Sequence, residues 1–210
     1  MDIDVARYVG AVTRTVKTLH RDGRPVKAVI ADRSYDSTIE DVWDALTNAE
    51  RIPRWFAPVS GELKQGGRYQ IKGNAGGTIT ECAPPRRLAL TWECGAQMSW
   101  VSVSLAPDAR GGVKLELEHV LPVDGHWDEF GPGATGVGWD LGLVGLAQHL
   151  ASGAAVDHEA AEAWAASENG KAFIRGSTDG WRAADVAGGE EPGAAAAAAS
   201  KTAAFYTGAG

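Results

Sequence analysis

Few side chains here are of a type and spacing that do chemistry, and His119 comes first among them. In "GVKLELEHVLP", residues 112–122, Val113, Leu115, Leu117 and His119 alternate with Lys114, Glu116 and Glu118. An extended chain sends alternate side chains to opposite faces, so His119 shares the apolar one. An imidazole there either orients a ligand and exchanges a proton near neutral pH, or sits in the core bonded to a neighbouring side chain or carbonyl. Large aromatics form the second group. "NAERIPRWFAPV" sets Trp55 beside Phe56 between Pro53 and Pro58. Two such rings at a bend either plug a core or line the rim of a cavity. Tyr69, Trp92, Trp139 and Leu143 are candidates to line the same apolar space, whereas alternation with Val101 and Val103 turns Trp100 to the opposite face. Glu81 is either a solvated carboxylate or an inward one needing a partner such as Arg68 or His119.

Other patterns carry less. "GVGWDLG" (Gly136 to Gly142) looks like a glycine-rich nucleotide loop, but no parallel strand precedes it and its third glycine is misplaced. "HWDE" (His126 to Glu129) reads as a loop with too few ligands for zinc. No nucleophile motif is present, so no catalytic residue, metal ligand or cofactor is assigned. A formal net charge of −7 with no Lys/Arg cluster argues against nucleic-acid binding. The 210 residues, 44% apolar and 22% charged, suit one folded domain with a full core, or one domain with an appendage. "MDIDVARYVG" lacks the basic and apolar regions of a signal peptide. The most membrane-like stretch, Gly133 to Ser152, holds Asp140, Gln148 and His149, which suits a packed helix better than a spanning one. The "PPRR" turn would pair Cys82 with a residue near Leu88 and leave Cys94 far away, so reduced thiols and a cytoplasmic location are expected.

These residues need elements to position them. Val12 to Leu19 and Val26 to Tyr35 read as strands joined at Asp22-Gly23. Ser37 to Glu40 matches a capping box opening a helix with Ile39, Val42, Trp43 and Leu46 on one face, and Asn48 caps a short turn ending near Trp55. From Ser60 to Val123, short alternating runs between "GG" and "PP" punctuation predict an antiparallel meander of about six strands. Trp139, Leu143, Leu146 and Leu150 then repeat at helical spacing, a stripe suited to cover the sheet, with Asp140 facing solvent. After Gly153, Asp157 and Ser167 cap helices carrying Trp164 and Phe173, Ile174 and Trp181. The Ala-rich end either forms a further helix or leaves the last ~20 residues disordered.

The strings "YDSTIEDVWDALTNAERIPRWF", "GGRY", "GGTITECAPPRRLALTWE", "VKLELEHV" and "GWDLGLVGLAQHL" resemble the SRPBCC superfamily (START and birch-pollen-allergen-like), in the branch of the activator of the heat-shock-protein-90 ATPase. The likeness covers Val26 to Ala151, within a domain of residues 1–152 followed by a docked helical extension, 153–210. It implies an α+β helix-grip fold: a curved antiparallel sheet around a long C-terminal helix, here with an extra N-terminal strand. Such a fold often encloses a cavity for small apolar molecules, with the turn that holds Trp55 and Phe56 near its mouth. The resemblance therefore implies a carrier or binding domain for a small hydrophobic molecule. The alternatives are a polyketide cyclase or aromatase-like enzyme using His119, Tyr69 and Glu81, and a co-chaperone-like interaction protein. Exposed strand edges allow a monomer or a homodimer.

Overall fold

The computed structural model describes residues 3–208. Helix α1 (Val5–Gly10) precedes strands β1 (Val12–Arg21) and β2 (Arg24–Tyr35). Between these strands Asp22 and Gly23 both take positive φ, 51° and 75°, as a tight Asp-Gly hairpin requires. Helix α2 (Ile39–Thr47) starts one residue later than the capping box predicts. Thr38 is the cap and accepts from Asp41 N at 3.2 Å, while Ser37 donates to the Asp41 carboxylate at 2.6 Å. A single turn of 3-10 helix, Ile52–Arg54, follows.

The predicted meander is present as β3 (Val59–Gly61), β4 (Arg68–Ile71), β5 (Gly76–Ala83), β6 (Arg87–Cys94), β7 (Gln97–Pro107) and β8 (Val113–Pro122). The eight strands form one curved antiparallel sheet in the order β1-β2-β8-β7-β6-β5-β4-β3. Helices α3 (Gly125–Phe130), α4 (Gly133–Ser152), α5 (His158–Ala166), α6 (Glu168–Ala187) and α7 (Pro192–Thr207) complete the chain. The "HWDE" segment is therefore helical rather than a loop, because Asp124 caps α3 through the N–H groups of His126 and Trp127. Among the described residues no helix is long and apolar enough to cross a membrane.

The chain divides into two compact units. One comprises Asp32–Leu121 and Gly142–Val156. Here alternation decides what is buried: Val101, Val103 and Leu105 face inward opposite His119, Leu117 and Leu115. The Tyr35 hydroxyl ties the sheet to the second half of α4 by donating to Leu143 O at 3.4 Å.

The other unit comprises Met1–Ala31, Pro122–Leu141 and Asp157–Gly210. Its core is built on α6, with Phe173, Ile174 and Trp181 buried. Asp157 and Ser167 cap α5 and α6 as their positions predict, and Glu191 caps α7. The Ala-rich end is therefore a helix over most of its length. Asp140 is a correction: it is fully buried, not solvent-facing. Its Oδ2 accepts from Arg14 Nε at 2.9 Å, Ser177 Oγ at 2.5 Å and Trp181 Nε1 at 3.1 Å. The residue lies on the α4 flank that one-helix periodicity assigns to water, and only side chains far away in sequence reverse that assignment.

Candidate functional site

The side chains with chemical potential gather on the inner face of β4–β8, in the unit containing residues 32–121. Register places Leu88 opposite Val103, Leu90 opposite Val101 and Trp92 opposite Ser99. It also places Ile79 opposite Leu90 and Cys82 opposite Leu88. Ile79 and Cys82 share this face despite odd spacing because the register shifts between Ile79 and Glu81, two positions of β5 spanning one step of β6. Glu81 accordingly lies on the outer face, opposite Ala89, and pairs with Arg87 at 3.1 Å rather than with Arg68 or His119.

Tyr69, Ile71 and Ile79 form the buried nucleus of this wall, and Phe56, Leu88, Leu90 and Trp92 pack against it while staying only partly buried. Opposite them on the next strand, Val103, Val101 and Ser99 are buried. The same sheet face thus passes from closed at β7 to accessible at β6.

His119 lies on the closed side, 4% exposed, with its ring edge-on to Trp92 at 6.0 Å. Its Nε2 is 2.8 Å from Ser99 Oγ. The Ser99 hydroxyl has one proton and donates it to Trp92 O at 3.2 Å, so Nε2 carries hydrogen and donates to Ser99. Burial lowers the His119 pKa to about 3, which keeps the ring neutral at physiological pH. A serine activated as a nucleophile needs the opposite polarity, with imidazole accepting its proton. The Tyr69 hydroxyl donates to Thr91 O at 2.7 Å, and burial pushes its pKa upward.

Trp55 and Phe56 are both half-buried, their rings 5.4 Å apart, but they face different duties. The Trp55 indole N–H donates to Ala45 O at the end of α2, at 2.8 Å, while Phe56 joins the wall. Their turn is held to the end of α4. Val156 N donates to Arg54 O at 2.7 Å, and Arg51 Nε donates to His149 Nε2 at 3.3 Å. Arg51 Nη1 is fixed by Asp41 at 2.7 Å and Asp44 at 3.0 Å. The Ser37 hydroxyl, with help from Arg51, holds Asp41 below the usual carboxylate range. Gly145 admits this turn: a Cβ there would sit 2.5 Å from Trp55 O.

The structure therefore brings Phe56, Tyr69, Trp92 and His119 together on or beside one wall. Trp55 adjoins it, Leu143 is buried on α4, and Trp139 is half-buried in the other compact unit. Leu88, Leu90 and Ser99 were not singled out by sequence reasoning. Ser99 was findable, since it is in phase with Val101 and Val103. The half-burial of β6 leaves no mark in its residue types.

An antiparallel sheet with a long helix across its inner face is the helix-grip arrangement of the SRPBCC superfamily. The chain belongs to the family of Activator of Hsp90 ATPase homolog 1-like proteins, whose model matches residues 36–151. The solution structure of CalU16 from Micromonospora echinospora is 29% identical, with a TM-score of 0.70, over 85% of this chain and 97% of that one. The crystal structure of the same protein gives 28% and 0.66 over 86% and 99%. DynU16, from the dynemicin biosynthetic locus, shares the fold at 20% identity and a TM-score of 0.55, over 61% of this chain and 48% of its own. No curated protein matches the chain. The CalU16 likeness reaches well beyond residues 36–151, into the flanking segments.

Proposed function

We propose that the chain is a binding or carrier protein for a small hydrophobic molecule that lies against the inner wall of β4–β6. One observation carries this reading: Leu88, Leu90 and Trp92 stay only partly buried on a sheet face whose next strand is closed. Apolar side chains on an inward face are ordinarily covered, and a ligand of matching polarity gains by covering them. Family membership is compatible with the reading. A cyclase or aromatase needs polar groups free to move protons. His119 and Ser99 do converge, but each is spent on the other, and the pKa of His119 lies far below neutrality.

The test is mass spectrometry of freshly purified protein under native and denaturing conditions. A co-purifying small molecule should appear in the native spectrum, persist in Ala89→Glu on the outer face, and vanish in Leu90→Glu. An apo mass for the wild type, or equal retention by both variants, would remove the wall from the account.

A further inference from the structure

Charge is distributed unevenly across the sheet. On β4–β6, the charged side chains pair on the outer face, Arg68 with Glu93 at 2.8 Å and Arg87 with Glu81 at 3.1 Å. The inner face of the same strands carries Tyr69, Ile79, Cys82, Leu88, Leu90 and Trp92. Its polar neighbours are neutral and engaged: the Tyr69 hydroxyl on Thr91 O, and His119 on Ser99 with Nε2 as donor.

Two arginines of this unit lie away from β6, each held by its own neighbours. Arg51 is clamped by Asp41, Asp44 and His149. Buried Arg33 alternates with Asp32, whose carboxylate pairs with Lys114 on the wet face, and its guanidinium lies 5.4 Å over the Tyr35 ring. Arg33 sits on β2, separated from β6 by β8 and β7, about 14 Å of sheet.

We infer that the β4–β6 wall selects uncharged ligands and rejects those bearing an anionic group where the molecule meets Leu90 and Trp92. The inference rests on the carrier reading and narrows it. An anion pressed against this wall would give up its water to apolar side chains and to neutral polar groups already engaged with one another, a cost far above that of leaving it in solvent. A neutral ring system loses little water and gains contact with Trp92 and Phe56.

Two probes that differ by one sulfonate group test this: N-phenyl-1-naphthylamine and its 8-sulfonate, titrated by fluorescence at pH 7, with the arginine variants below separating charge from bulk. The neutral amine should bind saturably and at least tenfold tighter than the sulfonate. Leu90→Arg, which places a cation on the inner face at a partly buried position, should narrow that ratio by at least fivefold. Ala89→Arg, one residue along on the outer face, should leave it unchanged. Sulfonate binding within threefold of the amine in the wild type would overturn the charge rule while leaving the carrier reading in place. Saturable binding of neither probe would overturn both.

Discussion

The polar groups buried beside the β4–β6 wall and those buried around Asp140 differ in charge. In the unit of residues 32–121 and 142–156, the polar pair beside the wall is neutral, a histidine and a serine sharing one hydrogen bond. In the other, a carboxylate and a guanidinium are both buried: Asp140 Oδ2 takes Arg14 Nε at 2.9 Å, with Nη2 in ion-pair contact at 2.8 Å. Arg14 Nη1 is also spent, donating to Val9 O and Val12 O. Burial pushes the Asp140 carboxyl up, and the Arg14 charge, the Ser177 hydroxyl and the Trp181 indole oppose it. Neutral polar groups engaged with one another need no countercharge to remain buried. A buried ion pair instead holds specific elements in register, since either partner alone would be a stranded charge. Asp140 falls within residues 36–151, yet Arg14, Ser177 and Trp181 all lie outside that span. The flanking segments thus complete a residue that the shared region cannot satisfy by itself.

The largest effect is expected from breaking that ion pair. Arg14→Leu should destabilise the fold by about 3–5 kcal/mol in urea denaturation, because Asp140 stays buried without its countercharge. The double variant Arg14→Leu/Asp140→Leu should recover most of the loss, since two apolar side chains leave no stranded charge. A single-variant cost below about 1 kcal/mol would show that the pair does not hold the unit together.

Acid sharpens the contrast, because a buried base and a buried acid respond with opposite signs. The His119 pKa is about 3 folded against 6.5 as the ordinary value, so between those limits the unfolded chain binds more protons. Its contribution to stability is therefore present above pH 6.5 and is lost as pH falls, by about 1 kcal/mol per pH unit in that window. Asp185, in the other unit, is buried and its Oδ1 has no hydrogen-bond partner. Burial, with the nearby Glu190, raises it from 3.8 to about 6. Here the folded chain binds the proton more tightly, so stability is gained as pH falls from about 6 towards 4. Urea midpoints measured from pH 7 to pH 4 should show a flatter acid loss in His119→Gln and a steeper one in Asp185→Asn than in the wild type. Parallel curves for all three would refute the assignment.

Much of the fold was legible because periodicity records which face of an element is wet. β8 shows this best: Lys114, Glu116 and Glu118 alternate with four side chains that the structure buries. The helix caps at Asp157 and Ser167 were legible for a local reason, since a cap and its N–H partner lie three residues apart. Asp140 was misread because its partners lie 126, 37 and 41 residues away, beyond any local pattern. That Phe56, Tyr69, Trp92 and His119 face inward was legible, but the partial exposure of the strand between them was not. Half-burial of Leu88 and Leu90 depends on what other elements fail to cover, and residue type does not encode that. The register shift in β5 was equally hidden, because strict alternation carries through Thr80 without a signal.

That shift supplies the smallest expected effect and the finest test of the wall's phase. Two adjacent residues, Glu81 and Cys82, fall on opposite faces, Glu81 opposite Ala89 outside and Cys82 opposite Leu88 inside. The Arg87 and Glu81 side chains are 43% and 46% exposed, so their ion pair is screened by water and contributes about 0.5 kcal/mol or less. Glu81→Gln should therefore shift the urea midpoint marginally and leave N-phenyl-1-naphthylamine affinity within twofold of the wild type. Cys82→Asp, one residue along, places a carboxylate opposite Leu88 and against the Tyr69, Ile71 and Ile79 cluster and should weaken the same probe at least fivefold. If Glu81→Gln proved the more damaging of the two, β5 would present the opposite face to the ligand, and the wall would have to be redrawn without Cys82.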